Sequence, residues 1–551
     1  MSVARRAHAY PNVRVDAAGL VAVAVAPASA TIAVGAALRL ARTRAAGAIV
    51  AGERWVLRED LARAAALGLG DLPAAELARA LPVVDARADE VAVRRALADG
   101  APMVAVRDRR GPVGAVARPA AARRPEPVAS AAARVARHVP ADALRLLAEA
   151  ARLAGAHGAS AFAVGGLVRD VWREAPGARR DLDLVVEGDG AAVARALAAA
   201  LGGRLVEHAR FLTASIDAPG FGRVDVTTSR TERYEAPGAL PRVLPAGIGQ
   251  DLARRDFTVN AMALELASGT FGLLDPWGGR LDLARRRLRV LHPLSYVEDP
   301  TRVFRAARYA ARLGLTPDRA TRAALALALR LLPYPALSGQ RLAAELERML
   351  AEPCASSALT SLGRAGAFRL LASGYRFTAA ARRRVGELPA ALAWARGRGL
   401  AVDQVGLATL ALVGGQRPAV AAAALARVSP PGEPRDRLER ALDASRTLAA
   451  RLGAAATPSA RARHLRGLAP VELAWHWLAG DQAVRATLDW FTGVAGGPAA
   501  LTGGDVIALG VPRGPAVARV LAAVRDARLD GTITTRAMEE EHVRHWLAKG
   551  G

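Results

Sequence analysis

Apolar and polar positions change their rhythm several times along the chain. Up to about Ala120, short Val/Ala runs alternate with Ala-rich stretches, predicting strands and helices in turn. Residues 121–139 interrupt this with Arg123, Arg124, Pro125 and Pro127, the composition of an exposed linker. From about Pro140 to Leu291 strand-like and helix-like segments alternate again, and from Pro293 onward the pattern is almost wholly helical. The expected architecture is multidomain α/β plus α. It comprises an α/β pair at 1–120, a linker at 121–139, a mixed α/β head at 140–291, a neck at 292–370, and a helical body and tail at 371–551.

The first region reads as an internal duplication. TIAVGAALRLARTRAAGAIVAGERWVLREDL and EVAVRRALADGAPMVAVRDRRGPVGAVARPA each predict a helix, a strand, a polar turn and a second strand. The pair resembles tandem CBS domains, which implies an adenine nucleotide as ligand and leaves a homodimer through the pair open. Asp60 in VLREDL matches the acid such domains set against a ribose, whereas GAVARPAA in the second copy has none. One ligand site at most is expected, with a purely structural pair as the alternative.

Composition narrows the class. In 551 residues, 52% are hydrophobic and 23% charged, which excludes a disordered or fibrous chain. A single cysteine, Cys354, excludes a disulfide scaffold, and with no signal-peptide pattern a reducing cytoplasm is the expected location. Residues Ala17 to Leu38 carry no charge over a length that could cross a bilayer. Pro27, Ser29 and Thr31 at its centre predict a strand, a turn and a helix start instead, so no membrane partner is expected. The net charge of +25 is almost all arginine, Lys549 being the one lysine. A base-skewed genome produces such a bias as readily as a binding surface does, but nucleic acid is the first partner the charge suggests. Neither a His-Asp doublet, a Cys/His zinc cluster nor a phosphate-binding Walker sequence is present.

Candidate chemistry concentrates in FAVGGLVRDVWREAPGARRDLDLVV. A strand from Ala161 to Val164 runs into Gly165 and Gly166, and a helix begins with Leu167, Val168, Arg169 and Asp170. Paired glycines let backbone approach a phosphate, N–H groups at the helix start point toward the anion, and Arg169 offers a planar fork. A Gly-Gly turn is also common punctuation. Asp181 and Asp183, two apart on a strand, project together while Leu182 points into the core. Like charges side by side are costly without a cation, and oxygen ligands suit Mg²⁺. Asp225, in the strand-like RVDVTT, is the candidate third carboxylate, with a plain strand-end acid as the alternative reading.

Together with later segments, these residues resemble the class II tRNA nucleotidyltransferase and bacterial poly(A) polymerase family. Those segments are Arg230-Thr-Glu232 and Tyr234 to Gly238, Asp251-Leu-Ala-Arg254-Arg255-Asp256-Phe-Thr-Val-Asn260-Ala, Asp275-Pro276 with Gly278-Gly279, and Glu298-Asp299-Pro300-Thr301-Arg302 with Arg305 and Arg308. The likeness is strong over roughly Pro140 to Leu350 and weak in the C-terminal third. It implies a nucleotidyltransferase-superfamily head in which Asp181 and Asp183 hold Mg²⁺. It implies further that Asp299 and Arg302, three apart at a helix start, read the base edge of adenine or cytosine, and that Arg255, Arg305 and Arg308 meet the triphosphate. Gln340 departs from the family's usual Glu.

The implied reaction is template-independent addition of AMP from ATP to a tRNA 3′ end, with CTP as a second donor candidate. The CBS-like pair and the full-length loop from Arg230 to Gln250 point to A-adding rather than CC-only activity. Poly(A) synthesis on other RNAs and a non-catalytic adenine-nucleotide sensor are the alternatives. Thr502-Gly-Gly-Asp505 and Gly510 to Pro515 are candidate contacts to RNA phosphates or ordinary helix punctuation.

Overall fold

The computed structural model describes residues 19–98, 100–117, 129–174, 182–267, 270–494 and 500–549. The chain divides into two compact units, Met1–Leu337 and Ser338–Gly551.

The first unit opens with the duplication. One copy is strand β1 (Val25–Ala28), helix α1 (Val34–Thr43), strands β2 (Ala48–Ala51) and β3 (Arg54–Leu57), then helix α2 (Arg58–Ala66). The other is β4 (Val83–Asp85), α3 (Glu90–Ala98), β5 (Met103–Asp108) and β6 (Gly111–Ala117). In each, the first two strands pair in parallel and the last two antiparallel, so the repeat is one of topology as well as of pattern. Ala48, Val50, Trp55 and Leu57 of one copy share a core with Ala105 and Ala115 of the other. The uncharged stretch is a strand, a turn and a helix, because Pro27 and the Ser29-Thr31 turn interrupt it. No helix among the described residues is long and apolar enough to cross a membrane.

After α4 (Ala129–His138) and α5 (Ala141–Ala156), the head is built on seven strands. In chain order come β7 (Ser160–Val164), α6 (Gly166–Trp172), β8 (Leu182–Glu187), α7 (Gly190–Leu201), β9 (Arg204–His208), β10 (Thr213–Ala218) and β11 (Gly222–Thr228). A hairpin of β12 (Arg230–Arg233) and β13 (Arg242–Pro245) and helix α8 (Ile248–Ala253) lead to β14 (Ala263–Ala267) and β15 (Thr270–Leu274). The sheet order is β15-β14-β7-β8-β11-β10-β9, and the β8–β11 pair alone is parallel.

Period-2 alternation sorts β8 between two apolar layers. Leu182, Leu184 and Val186 join the core made with Leu146, Leu147 and Ala150 of α5 and Val193 and Leu197 of α7. Val185 joins a second cluster with Phe162, Val164 and Leu252. Asp183 takes the parity of Val185 and so stands on this second face. The unit continues through α9 (Gly279–Ala284), the short α10 (Ser295–Glu298) and the strongly amphipathic α11 (Thr301–Leu313).

The second unit is helical throughout its described residues, from Gly339–Leu350 to Arg536–Ala548. Its last three helices close on a small core of their own, Val506, Val520, Val524 and Val543.

Candidate active site

The turn between β7 and α6 is where the sequence first places chemistry. Gly165 has φ +67°, a conformation L side chains rarely adopt. A Cβ there would stand 3.1 Å from Asp183 Oδ2 and 3.8 Å from Arg255 Nη1. The missing side chain thus lets the turn pass between a carboxylate and a guanidinium. Asp183 is exposed, and its register partner on the neighbouring parallel strand is Asp225. Asp225 accepts from Ser215 Oγ at 2.6 Å and from Arg223 Nε at 2.9 Å, with about a third of its side chain still open to solvent. Asp181, expected to share the face of Asp183, lies outside the described residues. Among the described residues no three His, Cys, Asp or Glu side chains form a metal cage. Two carboxylates in register on adjacent strands nevertheless supply the all-oxygen donor set that suits Mg²⁺.

Beside this pair, arginines are held by buried acids. Asp251 is fully buried on α8 and takes Arg254 on Oδ1 at 2.7 Å and Arg255 on Oδ2 at 2.8 Å. Burial by itself pushes its carboxyl up, but the two guanidiniums outweigh that and hold it below the ordinary carboxylate range. Arg254 also donates to Glu232 of β12 at 2.7 Å. One residue further, Asp256 accepts from Phe257 N, from Asn260 Nδ2 at 3.0 Å and from Arg305 Nη2 at 2.7 Å. Its carboxyl is likewise pushed up by burial and drawn below the ordinary range by Arg305 and Asn260. Asn260 Oδ1 in turn accepts from Arg169 Nη1 at 2.8 Å. The run Arg169–Asn260–Asp256–Arg305 therefore ties α6 to α11. Tyr309 adds a ring with the guanidinium carbons of Arg169, Arg305, Arg308 and Arg312 between 4.8 and 5.6 Å from its centroid.

The base-reading candidates sit where α10 ends and α11 begins. Arg302 is 5% exposed and donates to Ser295 Oγ at 2.9 Å and to the Arg254 carbonyl at 2.8 Å. Asp299 accepts from Thr301 N at 3.0 Å and Thr301 Oγ1 at 2.6 Å. The backbone bond from Gly238 N to Val297 O joins the loop after β12 to α10.

Three expectations change in detail, and one open choice closes. Asp299 is not on a helical face with Arg302: its backbone is extended (φ −135°, ψ 95°), because Pro300 and Thr301 start α11 after it and its carboxylate caps that start. Arg169 does not present an open fork at the glycine turn: it is 2% exposed and its nitrogens go to Asp170 and Asn260. Asp60 does not face a ribose site. It is fully buried, with its two oxygens 2.6 and 2.8 Å from Arg79. Thr502 and Asp505 form a reciprocal cap on the helix Gly503–Ala508, the punctuation reading of that motif. Sequence reasoning missed Asp251, Asp256, Asn260 and Tyr309 as site builders, although three of them lie inside the one segment it quoted whole.

A family model described as the poly A polymerase head domain matches residues 161–289. These bounds enclose Gly165, Asp183, Asp225 and Arg255. The A-adding tRNA nucleotidyltransferase of Geobacter sulfurreducens is 40% identical over 236 residues, 43% of this chain and 27% of that protein. The chain spans between 20% and 48% of the length of the A-adding relatives it matches. The CC-adding tRNA nucleotidyltransferase of Deinococcus radiodurans is 37% identical over 389 residues, 70% of this chain and 88% of that protein. Among solved structures, a CCA-adding enzyme in complex with ATP superposes with TM-score 0.64 at 25% identity, covering 76% of this chain and 98% of its own. With a relative matched along nearly its whole length, and with the matched head containing the glycine turn and the paired carboxylates, the chain belongs to the tRNA nucleotidyltransferase family.

Proposed function

We propose that this protein adds AMP from ATP to the 3′ end of tRNA, completing a terminus that already carries CC. One observation carries the reading: the exposed carboxylate and the base-reading pair belong to one continuous set of contacts. Asp183 and Arg255 both border the glycine turn at Gly165. Arg255 shares Asp251 with Arg254, and the Arg254 carbonyl holds Arg302. An incoming nucleotide spanning that set would put its phosphates near the glycine turn and its base near Asp299.

In this reading Asp181, Asp183 and Asp225 hold Mg²⁺. When bound, the metal lowers the pKa of the RNA 3′-hydroxyl and offsets charge at the α-phosphate and the leaving pyrophosphate. Gly165 and Gly166 leave room for phosphate oxygens. Arg255, Arg305 and Arg308 contribute positive charge, with Asp251 and Asp256 fixing the directions of Arg255 and Arg305. Arg169 acts by holding Asn260, at one remove from the nucleotide. Asp299 accepts from the exocyclic amine of the base and Arg302 donates to its ring nitrogen. Guanine or uracil would leave those groups unmatched, at about 1 to 3 kcal/mol for the buried Arg302.

The rest of the chain is assigned by the same proposal. Residues 1–120 form a CBS-like pair, 121–139 the linker, 140–291 the head and 292–370 the neck, with 371–551 as RNA-binding body and tail in a cytoplasmic protein. The adenine nucleotide expected at the N-terminal pair loses its main support, since Asp60 is committed to Arg79.

A second reading is favoured by a match that spans 88% of its relative: the Deinococcus protein is a CC-adding enzyme. Incubating the protein with tRNAs ending at the discriminator base, at C and at CC, with each triphosphate alone, separates the two. AMP incorporation only on the CC-ended substrate is the expected result. CMP incorporation on the shorter substrates gives the CC- or CCA-adding reading, and long adenosine tails on generic RNA give poly(A) synthesis.

A further inference from the structure

We propose that the N-terminal duplicated module is a positioning element for nucleotide choice, reaching the base-reading segment through Arg63 and Arg79. The inference rests on the reading of Asp299 and Arg302 given above. Both contacts start from α2 and its partner. Arg63 Nη1 lies 3.1 Å from Glu298 Oε1, across 235 positions of sequence. Arg79, clamped by Asp60 of the same helix, donates to the carbonyl of Leu291 at 2.9 Å. The two landing points bracket residues 291–298, and the next residue is Asp299.

Glu298 makes the first contact more than a surface ornament. Its side chain is 6% exposed, and a carboxylate at that depth needs a countercharge. His292 Nε2 stands 3.3 Å away, but burial pushes that imidazole toward its neutral form. The permanent charges acting on Glu298 are therefore guanidiniums: Arg302 of the reading pair, and Arg63, which the N-terminal module delivers in direct contact. The four-residue helix that ends at Glu298 also supplies Ser295, whose hydroxyl accepts from Arg302. Moving one end of so short a helix moves the other. A second docking point, Arg289 Nη1 to the Gly100 carbonyl at 3.3 Å, stops the module from pivoting away from the head.

The test compares Arg63→Ala, Arg63→Lys and Glu76→Ala in the full chain. The last removes an ion pair between the module and Arg330 that does not touch the base-reading segment. Two readouts are taken. One is the ratio of kcat/KM for ATP over GTP. The other is amide hydrogen exchange across residues 291–299, which needs no turnover. Arg63→Ala should lower the ratio about tenfold to a hundredfold, the scale on which a misplacement of about 1 Å acts at a reacting site, and should speed exchange in 291–299. Arg63→Lys should restore part of both, and Glu76→Ala should change neither. Arg63→Ala with wild-type exchange in 291–299 overturns the proposal, as does faster exchange with an unchanged ratio. A wild-type protein that incorporates no nucleotide, yet shows the exchange response, sinks the functional reading and leaves the brace standing.

Discussion

Two sets of acids in the head behave in opposite ways. Asp183 and Asp225 stand on strand positions open to solvent, whereas Asp251, Asp256 and Glu298 are 0%, 6% and 4% exposed and each is gripped by arginine. The exposed pair costs the fold little, since a surface contact such as Arg223–Asp225 is worth about 0 to 1 kcal/mol. The buried set is expensive to desolvate and tolerable only because each charge is matched. In the proposed function the first set would hold a cation, whereas the second aims guanidiniums. On the proposed function, the contrast separates side chains that would act from side chains that hold.

Substitutions should split along that line. Asp183→Asn should lower AMP incorporation by about 10⁴-fold, about 5 kcal/mol of barrier, while thermal unfolding stays at the wild-type temperature. Asp256→Ala should do the reverse in emphasis. Losing the acceptor of Phe257 N, Asn260 Nδ2 and Arg305 should cost about 1 to 3 kcal/mol of stability for the buried donors left unmatched, read as a lower denaturant midpoint, with activity falling through loss of fold. Asp225→Asn is the case that sharpens the comparison: a loss of about 10- to 100-fold in kcat, about 1.4 to 2.7 kcal/mol, with stability unchanged places it among the acting acids. An unchanged rate would return it to the plain strand-end reading.

Acid probes the third buried carboxylate. Burial raises the Glu298 carboxyl, but His292 and Arg63 overcome that and bring it from 4.5 down to about 2. Below 4.5 the unfolded chain takes up a proton that folded Glu298 refuses, so its stabilisation is complete above 4.5 and is lost as pH falls toward 2. Equilibrium unfolding followed across that window should be flatter in Glu298→Gln than in the wild type.

What the sequence made legible follows from the range of the interaction. Asp183 was readable from alternation on one strand, and the glycine turn from two adjacent residues. The duplication was readable from a pattern repeated at similar spacing. The clamps were not. Asp256 meets Arg305 across 49 positions, Asn260 meets Arg169 across 91, and Glu298 meets Arg63 across 235. No local periodicity encodes such pairings, and the same blindness made Asp60 and Arg169 look available for ligands. Asp299 was misplaced for a nearer reason: the residue before a proline is pushed out of helical backbone, and Pro300 does that here.

The central claim is that Asp183 and the Asp299–Arg302 pair serve one nucleotide. Equilibrium binding of ATP and GTP to wild type, Asp183→Asn and Arg302→Ala, with and without Mg²⁺, tests it most directly. The account predicts that Asp183→Asn loses the Mg²⁺-dependent part of ATP affinity but keeps the preference for ATP over GTP, while Arg302→Ala keeps the Mg²⁺ dependence and loses the preference. Equal loss of both properties in both variants, or of neither, would contradict it.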